Sequence, residues 1–396
     1  MFIEWETPLT EEEREIRTTI HRFAEEVMRP IGQRLDKLAD PSDVVAPDSE
    51  LWEVFRRHEE LGIADIATSP DLTPAQQARI RCIVGEEQGW GDPGLAISLG
   101  VNGFPRMAAM MTGRQELIDR FSGEDQIGCW CATEPDHGSD FIMDGERIAE
   151  WETPPNVIAR KDGDEFVING QKSAWVSNGT IATATSLFCA IDMGDGIVGT
   201  GSFLVPLDVD GVTKGKPLDK IGQRALNQGE IFFDNVRIPE SYMLMPPQIM
   251  SMGMEVVLAT ANSGMGSTFS GLARAALELA VDYAKERVQG GVAIIEHQSV
   301  KSRLFDMFRK VEAATALSRR AVMWNMTQTP RMDLAVASKT LATQTAFDVS
   351  SAALQIFGGN GLTREYPIEK ILRDARASMI EDGCNEVLSI VAAGKL

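Results

Sequence analysis

The chain has no apolar run approaching the roughly 18 residues that a membrane-spanning helix needs, so no span is expected. Its start, Met1-Phe2-Ile3-Glu4-Trp5-Glu6, has no basic stretch followed by an apolar one. Neither a secretory signal nor an Arg-rich transit peptide is expected there, which makes a cytoplasmic location the default. Basic residues are few, 38 Lys and Arg against 58 Asp and Glu, for a net charge of −20. A surface this acidic repels phosphate backbones, and no run of Lys or Arg offsets it, so nucleic-acid binding is not expected. A phosphate-bearing small ligand remains possible, because a few Arg side chains and backbone N–H groups suffice to bind one.

Metal and redox motifs are missing too. The five cysteines, Cys82, Cys129, Cys131, Cys189 and Cys384, are odd in number and scattered. Cys129-Trp130-Cys131 has one residue between its sulfurs, where a redox or zinc pair has two, so buried free thiols are expected. His21, His58, His137 and His297 show no metal-ligand spacing.

At 396 residues the chain is long enough for two or three domains with their own cores. Residues 8–125 read as helical. Thr10-Glu11-Glu12-Glu13 is a capping box, and Ile16, Ile20, Phe23, Val27 and Met28 follow near helical spacing. Pro41–Pro47 looks like a break, and Gly91-Asp92-Pro93-Gly94 like a turn. After about residue 125 the apolar runs shorten. Glu165–Gly170 reads as a strand ending in a turn signal, and 186–191, 202–206 and 229–236 as further strands of a small antiparallel sandwich or barrel. From about residue 245 helix returns, with segments at 272–287, 296–326 and 331–357. Helices, then strands, then helices imply an α+β chain in which two helical domains flank a central β domain.

Several segments can carry chemistry. The loop Trp130-Cys131-Ala132-Thr133-Glu134-Pro135-Asp136-His137-Gly138-Ser139-Asp140 offers hydroxyls and free N–H groups after a short strand; it could cradle a pyrophosphate or be a plain turn. In Lys172-Ser173-Ala174-Trp175-Val176-Ser177-Asn178-Gly179 an aromatic and a hydroxyl two residues apart share a strand face, so one could stack on a flat cofactor while the other bonds it. A half-buried structural Trp is the plainer reading. Arg287 ends a helix and Gln298 lies eleven residues on. Gln355-Ile356-Phe357-Gly358-Gly359-Asn360-Gly361 breaks a helix with glycines that imply positive φ or a close backbone approach. Arg373-Asp374-Ala375-Arg376 then precedes Glu381-Asp382-Gly383-Cys384-Asn385-Glu386.

Taken together and in this order, these segments resemble the acyl-CoA dehydrogenase family over about residues 8–390. The resemblance implies an N-terminal helical domain (1–125), a central antiparallel β domain (126–243) and a four-helix-bundle-like C-terminal domain (244–396) in a homotetramer or homodimer. It implies FAD held between the β domain and the C-terminal helices, an acyl-CoA substrate, and an electron-transferring flavoprotein as acceptor. By position, Trp130, Ala132 and Thr133 would lie against the isoalloxazine, Ser139 near the pyrophosphate and the substrate, Trp175 on the ring, and Ser177 near N5. Cys384 and Glu386 would also face the cofactor, and Gly383 the substrate. Arg287, Gln298, Gln355 and Gly359 would reach the ADP half of FAD in a neighbouring subunit. An Arg suits a pyrophosphate because its guanidinium is a permanently charged bidentate donor. In such enzymes a carboxylate removes the α-proton while hydride leaves Cβ for the flavin, and hydrogen bonds to the thioester carbonyl stabilise the developing enolate.

Four departures bear on substrate. The family's usual base is a Glu in Tyr-Glu-Gly-Thr; here the matching residue is Asp382, one methylene shorter, with Glu381 beside it as the second candidate. The Lys172-to-Trp175 spacing is one residue longer than usual, which implies a bulge. Gly290 stands where an aromatic is common. Asn262 stands where an Arg near the CoA is common, as a candidate substrate contact. The Asp base and the small-residue line Gly264 to Ser270 point to alicyclic, branched or aryl-substituted acyl chains. The competing readings are a family member with other chemistry, such as a nitroalkane-type oxidase or a lyase, and a non-enzymatic homologue.

Overall fold

The computed structural model describes residues 5–63, 66, 69–123, 125–140 and 155–396. Helix α1 (Glu11–Phe23) starts on the expected capping box: Thr10 Oγ1 accepts from the Glu13 N–H at 3.2 Å, and Glu13 Oε2 accepts from the Thr10 N–H at 2.9 Å. A π-helical turn at Ala24–Met28 carries it without a break into α2 (Arg29–Asp36). Then come α3 (Leu51–Glu60), α4 (Pro74–Gly91), α5 (Pro93–Asn102), α6 (Phe104–Thr112) and α7 (Gln115–Phe121). The expected turn at Gly91–Gly94 is a corner between two helices, where the Asp92 carboxylate accepts from the Leu95 N–H at 2.9 Å and so caps α5.

The strands are β1 (Gly128–Cys131), β2 (Ile158–Asp162), β3 (Glu165–Ser177), β4 (Ala184–Asp192), β5 (Ile197–Pro206), β6 (Val212–Lys214), β7 (Gln228–Pro239) and β8 (Met243–Met245). They form one sheet in the order β6-β7-β3-β2-β4-β5-β8, with β1 also on β4. An all-antiparallel sheet was expected; the sheet is mixed. β1 pairs in parallel with Ala184–Leu187 and β2 in parallel with Ala190–Asp192, end to end along β4. Neither strand is joined to β4 by a tight hairpin, which would enforce antiparallel pairing: β3 intervenes in the chain before β4.

Asn169-Gly170, expected to end a strand, lies inside β3. Gly170 has φ +126°, at a register shift against β7, and a Cβ there would lie 2.1 Å from the Asn156 carbonyl oxygen. A second register shift falls between Lys172 and Val176, which is where the long Lys172-to-Trp175 spacing implied a bulge.

The C-terminal part comprises α8 (Pro247–Glu286), a hairpin of β9 (Val288–Gln289) and β10 (Val292–Ala293), α9 (Gln298–Thr327), α10 (Met332–Phe357), α11 (Ile368–Ser378) and α12 (Asn385–Ala393). The segment expected at 272–287 is the last third of the continuous 40-residue α8. Phe23, Val27, Trp90 and Leu95 from the first helices and Phe269, Leu272, Ala346 and Val349 from the last ones share a single apolar core. A separate core lies against the sheet around Phe166, Leu187, Phe203 and Ile231.

Close approach of α8 to its neighbours depends on missing side chains. A Cβ on Gly271 would lie 2.0 Å from the Glu86 carbonyl oxygen, and one on Gly89 would lie 1.9 Å from that of Thr268. Gly264, in the same helix, has nothing within 4 Å of its Cβ position. We therefore expect Gly271→Ala to destabilise the protein by about 1–3 kcal/mol in urea unfolding through overpacking. Gly264→Ala is expected to be neutral or stabilising by up to about 1 kcal/mol, through helix propensity alone.

Candidate active site

The residues expected to perform chemistry lie on a turn between α11 and α12. Asp382 (φ +52°) and Gly383 (φ +88°) are consecutive left-handed residues. The conformation suits Gly383 but costs Asp382 of the order of 1 kcal/mol, and it turns the aspartate side chain out of the helix line. As a whole residue Asp382 is exposed, but its carboxyl end lies against the protein, where burial raises its pKa above the ordinary aspartate value and the Lys339 ammonium opposes that rise. Glu381 is oriented differently: its Oε1 accepts from Gln223 Nε2 at 2.6 Å. Burial raises Glu381 to about 7; the Gln223 bond opposes this and the Asp382 charge adds to it.

Lys339, not among the residues expected from the sequence, lies under this turn. It is fully buried in α10 and donates from Nζ to the Gly383 carbonyl and to Asn385 Oδ1, both at 2.8 Å. Burial lowers it to about 8, against the pull of Asp382 and Glu381. A signal was present: between Asp333 and Asp348, in an otherwise apolar and small-residue helix, Lys339 is the one charged residue.

The loop after β1 is fixed by a second buried lysine. Lys172 Nζ donates to the Ala132 carbonyl at 2.8 Å and to Glu134 Oε1 at 2.7 Å, with both side chains fully buried. Glu134 also accepts from the backbone N–H groups of Asn156 (2.5 Å) and Val157 (3.2 Å). The Thr133 carbonyl accepts from the Ser173 N–H at 3.0 Å. Ala132 and Thr133 are thus held firmly, by Lys172 and Glu134, neither of which was among the expected site residues. Ser139 then joins this loop to the Asp382 turn, its Oγ accepting from the Cys384 N–H at 3.1 Å.

Of the two expected aromatics, Trp130 is committed to packing, 4.6 Å from the Phe188 ring and 5.5 Å from that of Phe104. Trp175 is free to receive a flat ligand, being 58% exposed on the bulged part of β3. Ser177 Oγ accepts from Gln228 Nε2 at 3.3 Å. Cys384 caps α12, and Glu386 lies exposed in its first turn, where an acid complements the helix dipole. Arg287, Gln298, Gln355 and Gly359 are all exposed, at the end of α8, the start of α9 and the end of α10. Gly290 sits in the β9–β10 hairpin with φ +67°.

Two further expectations fall on buried side chains. Asn262 is fully buried in α8, its Nδ2 donating to the Leu258 carbonyl at 3.0 Å and its Oδ1 without a partner. A neutral amide is buried there without a charged partner, whereas an Arg would need one, as Arg274 of the same helix has in Glu87. Within the small-residue line Gly264 to Ser270, Gly266 and Ser270 serve helix packing. A Cβ on Gly266 would lie 2.1 Å from Ser338 Oγ, and Ser270 Oγ meets Ser318 Oγ at 3.2 Å.

Among the described residues no helix is long and apolar enough to cross a membrane. Residues 129–236 match the family model for the acyl-CoA dehydrogenase middle domain and 252–396 that for the C-terminal domain. The short-chain specific acyl-CoA dehydrogenase of Rattus norvegicus mitochondria is 31% identical over 98% of this chain and 90% of its own. Butyryl-CoA dehydrogenase from Megasphaera elsdenii superposes with a TM-score of 0.85 at 26% identity, covering 99% of each chain. A glutaryl-CoA dehydrogenase from Mycobacterium smegmatis, solved in complex with FADH2, shares the fold with a TM-score of 0.81 at 23% identity, covering 98% of this chain and 95% of its own. With the family models, its relatives and its helix–strand–helix order in agreement, this chain belongs to the acyl-CoA dehydrogenase family, whose members are FAD-dependent.

Proposed function

We propose that this protein is an FAD-dependent enzyme that introduces an α,β double bond into an acyl-CoA thioester, with Asp382 as the base. The observation that carries this is the Asp382 carboxyl, presented on a left-handed turn in surroundings that raise its pKa. A base needs a pKa near the working pH, and burial moves a carboxyl in that direction. FAD suits the exposed Trp175, the Ala132–Thr133 main chain held by Lys172, and Ser139 and Ser177. Bound there, FAD would accept the β-hydride. The chain's own task is to bind the thioester, align Cα with the Asp382 carboxylate, and donate the Gly383 N–H to the thioester carbonyl as negative charge grows on it.

The exposure of Arg287, Gln298, Gln355 and Gly359 in one chain supports their reaching a neighbouring subunit's cofactor in a homodimer or homotetramer. An electron-transferring flavoprotein is the acceptor in this reading. An atypical acyl chain, alicyclic, branched or aryl-substituted, is favoured by the shorter base, which leaves room of the order of 1 Å between carboxylate and Cα. Glu381 is the second candidate base. Its own raised pKa, to about 7, recommends it, and its bond to Gln223 directs it away from the role.

The test is an anaerobic titration of the flavin band with butyryl-, isobutyryl-, cyclohexanecarbonyl- and phenylpropionyl-CoA. Bleaching by one or more thioesters is the expected result. A band that no thioester bleaches would move the assignment to nitroalkane or lyase chemistry.

We expect Asp382→Asn to slow flavin reduction by about 10²–10⁴-fold, the usual contribution of a general base, and Glu381→Gln to slow it by less than about 10-fold. The reverse order would make Glu381 the base. Because the Asp382 pKa is raised and the reaction needs its ionised form, the reduction rate should rise with pH, with an acid limb above the ordinary aspartate range. A rate independent of pH down to about pH 4 would contradict this.

A further inference from the structure

We propose that Lys339 is a positioning residue: from inside α10 it clamps the turn that presents Asp382 and faces that carboxylate with a buried positive charge. This rests on the reading of Asp382 as the base. Nothing in the reaction requires a lysine here, and a lysine with no exposed surface is costly unless its ammonium protons are placed. Two are placed on the turn itself, at the Gly383 carbonyl and at Asn385 Oδ1, each 2.8 Å away. Thr343, one helical turn further along α10, takes the other side of the same residue: its Oγ1 accepts from Asn385 Nδ2 at 3.0 Å. The pair grips the segment just after the two left-handed residues, so the Asp382 side chain keeps one direction although the residue itself is exposed.

The charges are arranged to match. The titratable groups that act on Lys339 are Asp382, Glu381, Cys384 and Glu386, all on the turn or the first residues of α12. The charged group acting on Asp382 is Lys339, which favours the carboxylate, while Asp382 in turn raises the adjacent Glu381. The sign follows. A nearby cation lowers a carboxyl's pKa, so with Lys339 present Asp382 is ionised at a lower pH than burial alone would allow. Removing the cation should therefore carry the acid limb of the reaction to higher pH.

The experiment compares FAD-loaded wild type, Lys339→Met, Lys339→Gln, Asn385→Ala and Asp382→Asn. Single-turnover flavin reduction is followed across pH with whichever of the four thioesters above bleaches the wild type fastest, and deuterium exchange of residues 379–385 is measured in parallel. For Lys339→Met we expect the acid limb to rise by about one pH unit, hence a rate about 10-fold lower below that limb, together with faster exchange in 379–385. Lys339→Gln keeps the donors without the charge, so it should restore much of the protection while leaving the limb displaced. Asn385→Ala keeps the charge and loosens the clamp, so it should speed exchange and leave the limb in place; it and the Gln variant decide the matter if the Met variant does not fold. An unmoved limb with unchanged exchange, or a loss of rate equal at every pH with loss of FAD, would overturn the proposal. If Asp382→Asn reduces flavin at the wild-type rate, the base assignment fails instead, while the exchange data still report whether Lys339 clamps the turn.

Discussion

The close contact of α8 with α4 is the constraint from which the rest of the structure follows. Gly271 and Gly89 let the two backbones meet where any Cβ would strike a carbonyl oxygen. That contact joins the first and last helices of the chain into one core, with Trp90 and Leu95 packed among Phe269, Leu272 and Val349. α10 packs along the same long helix and ends near the glycines at 358–361, and α11 then returns the chain to the turn at Asp382. The turn's place relative to the sheet is thus set by backbone packing far from it. Dense interiors transmit such constraints because they cannot deform by small degrees.

Buried charge does the finer work. Lys172 and Lys339 are both fully buried, and each directs its ammonium at a carbonyl on a site segment, Ala132 in one case and Gly383 in the other. An unpaired ammonium in this interior would be strongly destabilising, so each lysine admits few arrangements of the loop that satisfies it. Ser139 closes the set by accepting from the Cys384 N–H, which links the loop after β1 to the turn after α11. The aromatic and hydroxyl residues between these anchors need little support of their own. Trp175 can remain 58% exposed because it lies on a bulge whose two flanks, Lys172 and Val176, are both registered with β7.

Much of this was legible along the chain. The capping box at Thr10, the order of helices and strands, and the bulge between Lys172 and Val176 follow from local rules of spacing and chemistry, and the structure has each of them. Local composition misleads where neighbours distant in sequence decide. Asn169-Gly170 has the composition of a turn but is a bulge, because the Asn156 carbonyl presses on Gly170. Gly266 and Ser270 looked like the lining of a roomy pocket, yet Ser338 and Ser318 occupy that space.

The sequence by itself determined the family, the types and order of the elements and the two candidate carboxylates for the proposed base, since these depend on residue identity and spacing. Tertiary structure alone decided which of two adjacent carboxylates is free. Glu381 and Asp382 differ by one methylene, and composition cannot rank them. Gln223, 158 residues away, hydrogen-bonds the first, while the left-handed backbone turns the second outward above Lys339. Burial and long-range hydrogen bonds set both the direction and the pKa of a carboxyl, and neither is a local property of the chain.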